Sequence, residues 1–200
     1  SPKNAYPRLQ ETADELHAIA DALGANGDNI YLYDRATEDQ VKSMGLDSYR
    51  VIAFATHGLK ANEREGLSEP ALLLSRPRQE NDADDGLLTA SEIATLKLNA
   101  DWVLLTACNT AAGGKMNGEA LSGLARAFFY AGSRSLLVSH WPVESNATVA
   151  LITGMFQNLA NNEDIGRSEA LRRSMLSLMA NKYQPPAFWG AFGVVGEGRR

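Results

Sequence analysis

The sequence has very little cysteine and histidine and no dense run of lysine or arginine. Cys108 is its single cysteine, so an intramolecular disulfide and a cysteine-based zinc site are both excluded. The three histidines are scattered, which leaves no cluster to hold a metal, and we expect no cofactor. A lone thiol suits a reducing compartment and no secretory signal opens the chain, so the sequence favours a cytoplasmic location.

Net charge and hydropathy argue against two classes of partner. The net charge of -5 disfavours a nucleic acid, because binding phosphates requires a positive surface. The longest apolar stretches, such as residues 102–107, are far too short to span a bilayer. We therefore expect neither a nucleic-acid partner nor insertion into a membrane.

The length of 200 residues suits one domain with a single core, and no internal repeat or low-complexity segment divides it. The chain begins with Ser-Pro-Lys instead of methionine. We therefore expect a single domain over residues 1–200 that forms the C-terminal part of a longer protein.

Short apolar runs alternate with helical patterns along the chain. Runs that are apolar on both faces are typical of parallel strands covered by helices. They occupy residues 50–56, 71–74, 102–107 and 135–139. Two further strands are predicted at 30–33 and 188–195, and the polar, acidic stretch 79–86 is predicted to be an exposed loop.

Amphipathic patterns predict helices between these strands. They cover residues 8–23, 37–44, 89–96, 118–131, 147–159 and 167–179. Thr37 is a predicted N-cap, and Thr89 with Glu92 has the spacing of a capping box. The alternation of strand and helix predicts an α/β fold with an open, mostly parallel sheet.

Two of the predicted strands end at a histidine and a cysteine. His57 follows the run 50–56 and Cys108 follows the run 102–107. Ligands bind at the carboxyl ends of strands in open α/β sheets, so neighbouring strands would bring the two side chains together. An imidazole beside a thiol lowers the thiol pKa and later protonates the leaving amine.

Each residue also has a structural interpretation when it is taken alone. A lone cysteine is most often a buried core thiol, and a loop histidine can simply donate to a backbone carbonyl. Taken together, however, His57 lies 51 positions before Cys108, close to the roughly 50 typical of caspases. This combination favours catalysis.

Several segments, in order, resemble the CHAT domain, a caspase-like module often found beside tetratricopeptide repeats. They are Ala-Thr-His-Gly at 55–58, Leu-Thr-Ala-Cys-Asn-Thr at 105–110, Gly-Glu-Ala-Leu-Ser-Gly-Leu-Ala-Arg-Ala-Phe at 118–128, Ser-His-Trp-Pro-Val at 139–143 and Phe-Trp-Gly-Ala-Phe at 188–192. The resemblance covers about residues 49–196. It implies a caspase-like three-layer sandwich with helices on both faces of the sheet, a cysteine peptidase activity and a protein or peptide substrate. It also implies an N-terminal tetratricopeptide-type repeat region, or another protein activator, as partner.

The resemblance also implies roles for individual residues. His57 would be the general base and acid, and Cys108 the nucleophile that forms an acyl-enzyme. The backbone N–H groups of Gly58 and Cys108 would form the oxyanion hole, which stabilises charge that develops in the tetrahedral intermediate. The group that orients His57 is left open between a backbone carbonyl and an Asn or Asp side chain.

The segment after the fourth apolar run departs from the family pattern. Where the family often has Trp-x-Val-x-Asp, this chain has Trp-Pro-Val-Glu-Ser at 141–145, so the acidic residue comes one position early. This leaves the preference for arginine, lysine or aspartate at the cleavage site open. The candidate substrate-pocket residues are Thr106, Ser139, His140, Trp141 and Glu144.

Two other functions remain as alternatives. A catalytically silent interaction module could share the fold and act only with a partner domain. A glutamine amidotransferase would use His140 and Glu144 downstream of Cys108, but the Gly-x-Cys-x-Gly elbow of that class is missing. The Gly-x-Ser-x-Gly motif is missing too, which disfavours an α/β-type serine hydrolase.

Overall fold

The computed structural model describes residues 6, 8–9, 11–76, 84–106, 118–141 and 143–198, and for 118–122 it describes the backbone alone. Within these ranges the chain forms two sheets, one of four strands in the order β1-β5-β6-β7 and one of three in the order β2-β3-β4. The strands are β1 Val51–Phe54, β2 Gly58–Leu59, β3 Ala71–Leu73, β4 Leu87–Thr89, β5 Trp102–Leu105, β6 Ser135–Ser139 and β7 Phe192–Gly196.

The helices lie close to their predicted positions. They are α1 Thr12–Leu23, α2 Glu38–Ser43, α3 Ala90–Thr95, α4 Gly118–Ala131, α5 Ser145–Asn161 and α6 Arg167–Ala180. Thr37 caps α2, because its hydroxyl accepts the Gln40 N–H at 3.2 Å. Thr89 and Glu92 form the predicted capping box of α3. None of the described helices is long and apolar enough to cross a bilayer.

The four-stranded sheet has helices on both faces. Strands β1, β5 and β6 are parallel, and β7 is antiparallel to β6. Val103 and Leu105 of β5 face one core with α3 and α4, whereas Trp102 and Leu104 face a second core with α1, α5 and α6. Burial on both faces is why this strand is a continuous apolar run. The arrangement confirms the predicted α/β sandwich with a mostly parallel central sheet.

One predicted strand lies in a different sheet from the one expected, and another does not form. The run 71–74 contains β3, residues 71–73, which pairs antiparallel with β2 and β4 and lies outside the parallel sheet. An apolar run reports burial and carries no information about strand direction. Residues 30–33 form no strand: the chain is extended at Ile30 and Leu32, but Tyr33 has a φ of +54° and begins a 3-10 turn. The first β-type pairing after this turn is an isolated parallel bridge between Thr37 and Ser75.

One predicted strand boundary and one predicted exposure also need correction. The last strand begins at Phe192, not at residue 188, because Pro186–Phe188 is a 3-10 turn whose Pro186 carbonyl accepts the Gly190 N–H at 2.7 Å. The predicted loop 79–86 is described only from Asp84 onward. Asp84 is buried, and its carboxylate accepts the N–H groups of Asp39 and Gly86, which offset the cost of burying the charge. An aspartate can be buried when its short side chain accepts hydrogen bonds from nearby backbone N–H groups. The acidic composition of the stretch gives no sign of these bonds, so it predicted exposure.

Candidate active site at the carboxyl ends of β1 and β5

The strands that precede His57 and Cys108 are direct neighbours in the sheet. Val51 pairs with Trp102 and Phe54 pairs with Leu105, so paired residues of β1 and β5 are 51 positions apart. The same 51 positions separate His57 from Cys108 in the sequence. Cys108 itself lies outside the described residues. The structure therefore describes the histidine side of the candidate site and the strand ends beneath both residues.

His57 lies in the short connection between the two sheets. Its carbonyl oxygen accepts the Leu73 N–H at 2.8 Å, and the neighbouring Thr56 hydroxyl donates to the Leu73 carbonyl. The imidazole is 6% exposed and its ring centroid lies 5.5 Å from that of Tyr6. The backbone of β3 and the Tyr6 ring therefore restrict where the imidazole can lie.

Gly58 directs its amide away from the neighbouring strand. It pairs with Leu72, and the Leu73 N–H donates to the His57 carbonyl one residue earlier. This pattern makes Gly58 and Leu72 a non-hydrogen-bonded pair of the antiparallel ladder. In such a pair the N–H points out of the ladder, so this amide is not used to hold β2 to β3. An amide in this position can donate to a bound oxyanion.

Thr106 and Ser139 tie together the ends of three parallel strands. The Thr106 N–H donates to the Phe54 carbonyl of β1 at 3.3 Å. Its own carbonyl accepts the Ser139 hydroxyl of β6 at 3.0 Å. Both residues are buried, with Thr106 6% exposed and Ser139 fully covered. The Thr106 backbone and the Ser139 hydroxyl therefore hold the ends of the three strands in line.

His140 and Trp141 lie at the same end of the sheet, beyond β6, and are open to solvent. The His140 N–H donates to the Ala191 carbonyl at 2.9 Å, which fixes the backbone while the side chain remains exposed. The Trp141 ring is 42% exposed, and its Nε1 donates to the Ala187 carbonyl at 3.2 Å. A partly exposed ring held by its indole nitrogen can act as a wall for a bound peptide.

Glu144 is placed at the start of α5. Its carboxylate accepts the N–H of Asn146 at 3.2 Å and that of Ala147 at 3.0 Å, which is an N-cap arrangement. None of its described hydrogen bonds goes to His140, the residue it would orient in an amidotransferase. Among the candidate pocket residues, Glu144 thus has a structural role as the N-cap of α5.

A buried carboxyl beside Thr106 was not predicted from the sequence. Glu15 of α1 is 4% exposed. Burial raises the pKa of this carboxyl above its usual range, the nearby Thr106 hydroxyl opposes the shift, and the Glu11 charge adds to it. A signal for it is present in the sequence, because Glu15, Ile19 and Leu23 follow one another at i, i+4 and i+8. An acidic residue on an apolar helical stripe is unusual.

Comparison with known proteins identifies relatives of this chain. The family model of the CHAT domain matches residues 1–197. Tetratricopeptide repeat protein 28 of Homo sapiens is 27% identical over 216 residues, and the protein of the same name from Mus musculus is 26% identical over the same length. Each match covers 94% of this chain but 8% of the relative. The chain therefore spans less than a tenth of the length of these curated relatives.

Proposed function

The chain belongs to the CHAT domain family, and we propose that it is a cysteine peptidase domain in which Cys108 is the nucleophile and His57 the general base and acid. One observation carries the proposal: paired residues of β1 and β5 are separated by the same 51 positions as His57 and Cys108. Parallel strands that end level with each other present the residues after them at one edge of the sheet. This geometry supports a working pair of imidazole and thiol.

The proposed reaction begins when His57 takes the proton of the Cys108 thiol. The thiolate attacks the carbonyl carbon of the scissile peptide bond, and the carbonyl oxygen becomes an oxyanion that accepts the N–H groups of Gly58 and Cys108. Collapse of this intermediate breaks the C–N bond, and His57 gives its proton to the leaving amine. Water, deprotonated by His57, then hydrolyses the thioester and restores the thiol. The outward direction of the Gly58 N–H supports its role here.

Trp141 is proposed to border the substrate, with its exposed ring as the wall nearest to solvent. Thr106 and Ser139 are buried, so they are proposed to support the strand ends beneath the substrate without touching it. Glu144, in contrast, is engaged as an N-cap, which weakens a direct role in choosing the cleavage-site residue. A nucleophile that must remain a free thiol requires reducing surroundings, and this supports a cytoplasmic location.

The proposed partners are a protein or peptide substrate and an adjoining repeat region. The two relatives are named as tetratricopeptide repeat proteins, and the chain covers 8% of their length. Both facts support a repeat region in the same polypeptide as an activator or as a receptor for substrate. We do not propose a nucleic-acid partner, because the net charge of -5 disfavours one.

A catalytically silent binding module is the second candidate. A groove of about 740 Å³ lies between α1, the segment 29–37 and β1, and His57 is among its lining residues. This volume is within the range of about 300–1,000 Å³ that small-ligand sites occupy. A module of this kind would use the groove for binding and would not need an activated thiol.

Activity probes distinguish the candidates. Acyloxymethyl ketone peptides ending in Arg, Lys or Asp would be incubated with the full chain and with three variants, Cys108→Ala, His57→Ala and His140→Ala. We expect labelling by one class of probe, lost in the first two variants and retained in the third. His140 is the matched control because it is also a histidine that follows a parallel strand.

Other outcomes would reject the peptidase proposal. If no probe labels the chain and a small neutral reagent modifies Cys108 equally in wild type and His57→Ala, the thiol is not activated and the binding module is favoured. If labelling survives in His57→Ala but is lost in His140→Ala, the base lies downstream of the cysteine, as in an amidotransferase.

A further inference from the structure

Glu15 is a buried carboxylic acid beside Thr106 at the end of β5, and the proposed reaction gives it no role. Resting on the proposed peptidase function, we propose that Glu15 is a positioning residue whose carboxyl holds Thr106, and with it the end of β5 that leads to Cys108, in the orientation required for acylation. The group acts through Thr106 and does not touch the substrate.

The location of Glu15 follows from the direction of α1. Leu23, at the end of this helix, lines a small pocket with Trp102, the first residue of β5. From Leu23 back to Glu15 is eight residues, a rise of about 12 Å along a helix. From Trp102 forward to Thr106 is four residues, about 13 Å along a strand. At the far end of these two nearly equal lengths the Thr106 hydroxyl acts on the Glu15 carboxyl, so helix and strand run in opposite directions and Glu15 comes level with Thr106.

The side chains also share a face of the sheet. Trp102 and Leu104 belong to the core that contains Ile19 of α1. Because alternate residues of a strand point to the same side, Thr106 points toward this core as well. Glu15 lies one helical turn before Ile19, on the stripe of α1 that faces the strand. The Thr106 hydroxyl is close enough to act on the pKa of the Glu15 carboxyl.

The side chains of this pair each carry a buried oxygen that is available for a hydrogen bond. Glu15 Oε1 and Thr106 Oγ1 are both buried and have no hydrogen-bond partner among the described residues. The two atoms do not meet hydrogen-bond geometry with each other in this arrangement. Buried polar side chains are nearly always paired, so a small rotation that joins them is expected. The acidic residues Asp14 and Asp21 of the same helix are exposed, so burial distinguishes Glu15 from its neighbours.

The link to catalysis is the position of Thr106. Its N–H is bound to Phe54 of β1 and its carbonyl is bound by Ser139 of β6. The hydroxyl is the remaining polar group, and Glu15 lies on its side of the sheet. A protonated carboxyl, which burial favours, can both donate to and accept from this hydroxyl. Cys108 follows two residues later, so a shift of the strand end moves the nucleophile.

The test uses the full chain and the probe class that labels wild type. The rate of inactivation would be measured at a series of probe concentrations. This gives two constants: the maximal rate of inactivation, and the probe concentration at which half of that rate is reached. We expect Glu15→Ala to lower the maximal rate about 10- to 100-fold, with little change in that concentration, because a misplaced nucleophile loses rate while the probe site persists. Glu15→Gln keeps a donor and an acceptor and should restore the rate to within about threefold of wild type.

Two further variants separate positioning from simple damage. Thr106→Val should reproduce Glu15→Ala, and the double variant should be no worse than either single one, because both remove the same contact. Asp14→Asn, an exposed neighbour on α1, is the matched control and should retain the wild-type rate. Melting temperatures would confirm that each variant is folded at the assay temperature.

The outcomes separate this proposal from the proposed function. Full labelling of folded Glu15→Ala, with labelling lost in His57→Ala, would overturn the role of Glu15 and leave the peptidase intact. A loss as severe in Glu15→Gln as in Glu15→Ala would also overturn it. If iodoacetamide alkylates Cys108 equally in wild type, His57→Ala and Glu15→Ala, neither proposal holds.

Discussion

Phe54 and Leu105 are paired in register at the carboxyl ends of β1 and β5. In the sequence, His57 follows the first of them by three residues and Cys108 follows the second by three residues. A shift of the register by even one residue would break this correspondence and would also turn the strand's side chains to the opposite face. The pairing is held by buried residues on both sides of the sheet, so the alignment of the strand ends is a consequence of the core.

The first prediction concerns the hydroxyl that joins β6 to β5. Replacing Ser139 with alanine leaves the Thr106 carbonyl without its donor, so we expect a loss of about 1–3 kcal/mol in the free energy of unfolding. We also expect slower probe labelling, since the strand end beside Cys108 is loosened. Urea denaturation and labelling rates measure the two effects.

Ser135 supplies the matched control at the opposite end of the same strand. Its hydroxyl donates to the Glu197 carbonyl at 2.7 Å, and the residue is equally buried. Ser135→Ala should cost similar stability and leave labelling unchanged. Equal labelling losses in both alanine variants would contradict the assignment of the active site to the carboxyl end of the sheet.

The second prediction concerns the core beneath β1. Phe128 of α4 is fully buried and its ring centroid lies 5.6 Å from that of Phe54. Phe128→Ala should reduce the free energy of unfolding by about 3–5 kcal/mol, because it opens a cavity and removes buried apolar area. Tyr130→Ala on the same helix, where the side chain is 83% exposed, should change stability by no more than about 0.5 kcal/mol. Similar losses in the two variants would argue against this placement of α4.

The third prediction separates the structural role of Glu144 from a role in specificity. Because its carboxylate caps α5, Glu144→Ala should cost about 1 kcal/mol of stability and leave the ranking of Arg, Lys and Asp probes unchanged. Glu144→Asp keeps a capping carboxylate and should recover most of the loss. A change in probe ranking without a loss of stability would move Glu144 back into the substrate pocket.

The fourth prediction concerns the pH dependence of stability. Burial raises the pKa of Glu15 in the folded chain, whereas the unfolded chain has the usual value of 4.5, so the folded state binds more protons. The stability contribution of this group is therefore present below about pH 4.5 and is lost as the pH rises through the folded pKa. Glu15→Gln cannot lose a proton and escapes this loss.

We therefore expect the difference in melting temperature, Glu15→Gln minus wild type, to increase as the pH is raised above 4.5. Calorimetry between pH 4 and 8 measures this difference. Glu11 is the charged residue that adds to the raised pKa, and it is present in both proteins. Asp14→Asn, on the exposed face of the same helix, should show no such divergence. A gap that is constant or that narrows with pH would show that Glu15 is charged at no cost in the folded chain.

Local signals in the sequence predict the elements well where the structure describes them. The caps at Thr37 and Thr89 depend on residues three positions away, so they can be read without the fold. The runs that became β1, β5 and β6 are apolar because both faces of the sheet are covered. The prediction failed at 30–33, where residue type favours a strand but none of the described strands pairs with the segment.

The sequence by itself determined most of the strand and helix pattern, the family resemblance and the separation of 51 positions between the candidate histidine and cysteine. These depend on residue identity, on short-range periodicity and on capping, all of which act within a few residues. The tertiary structure decided that β1 and β5 are neighbours, that β3 is antiparallel, that Asp84 is buried and that Glu15 lies beside Thr106. Each of these is a contact between residues distant in sequence or depends on one, and its free energy comes from burial and pairing that exist only when the chain is folded.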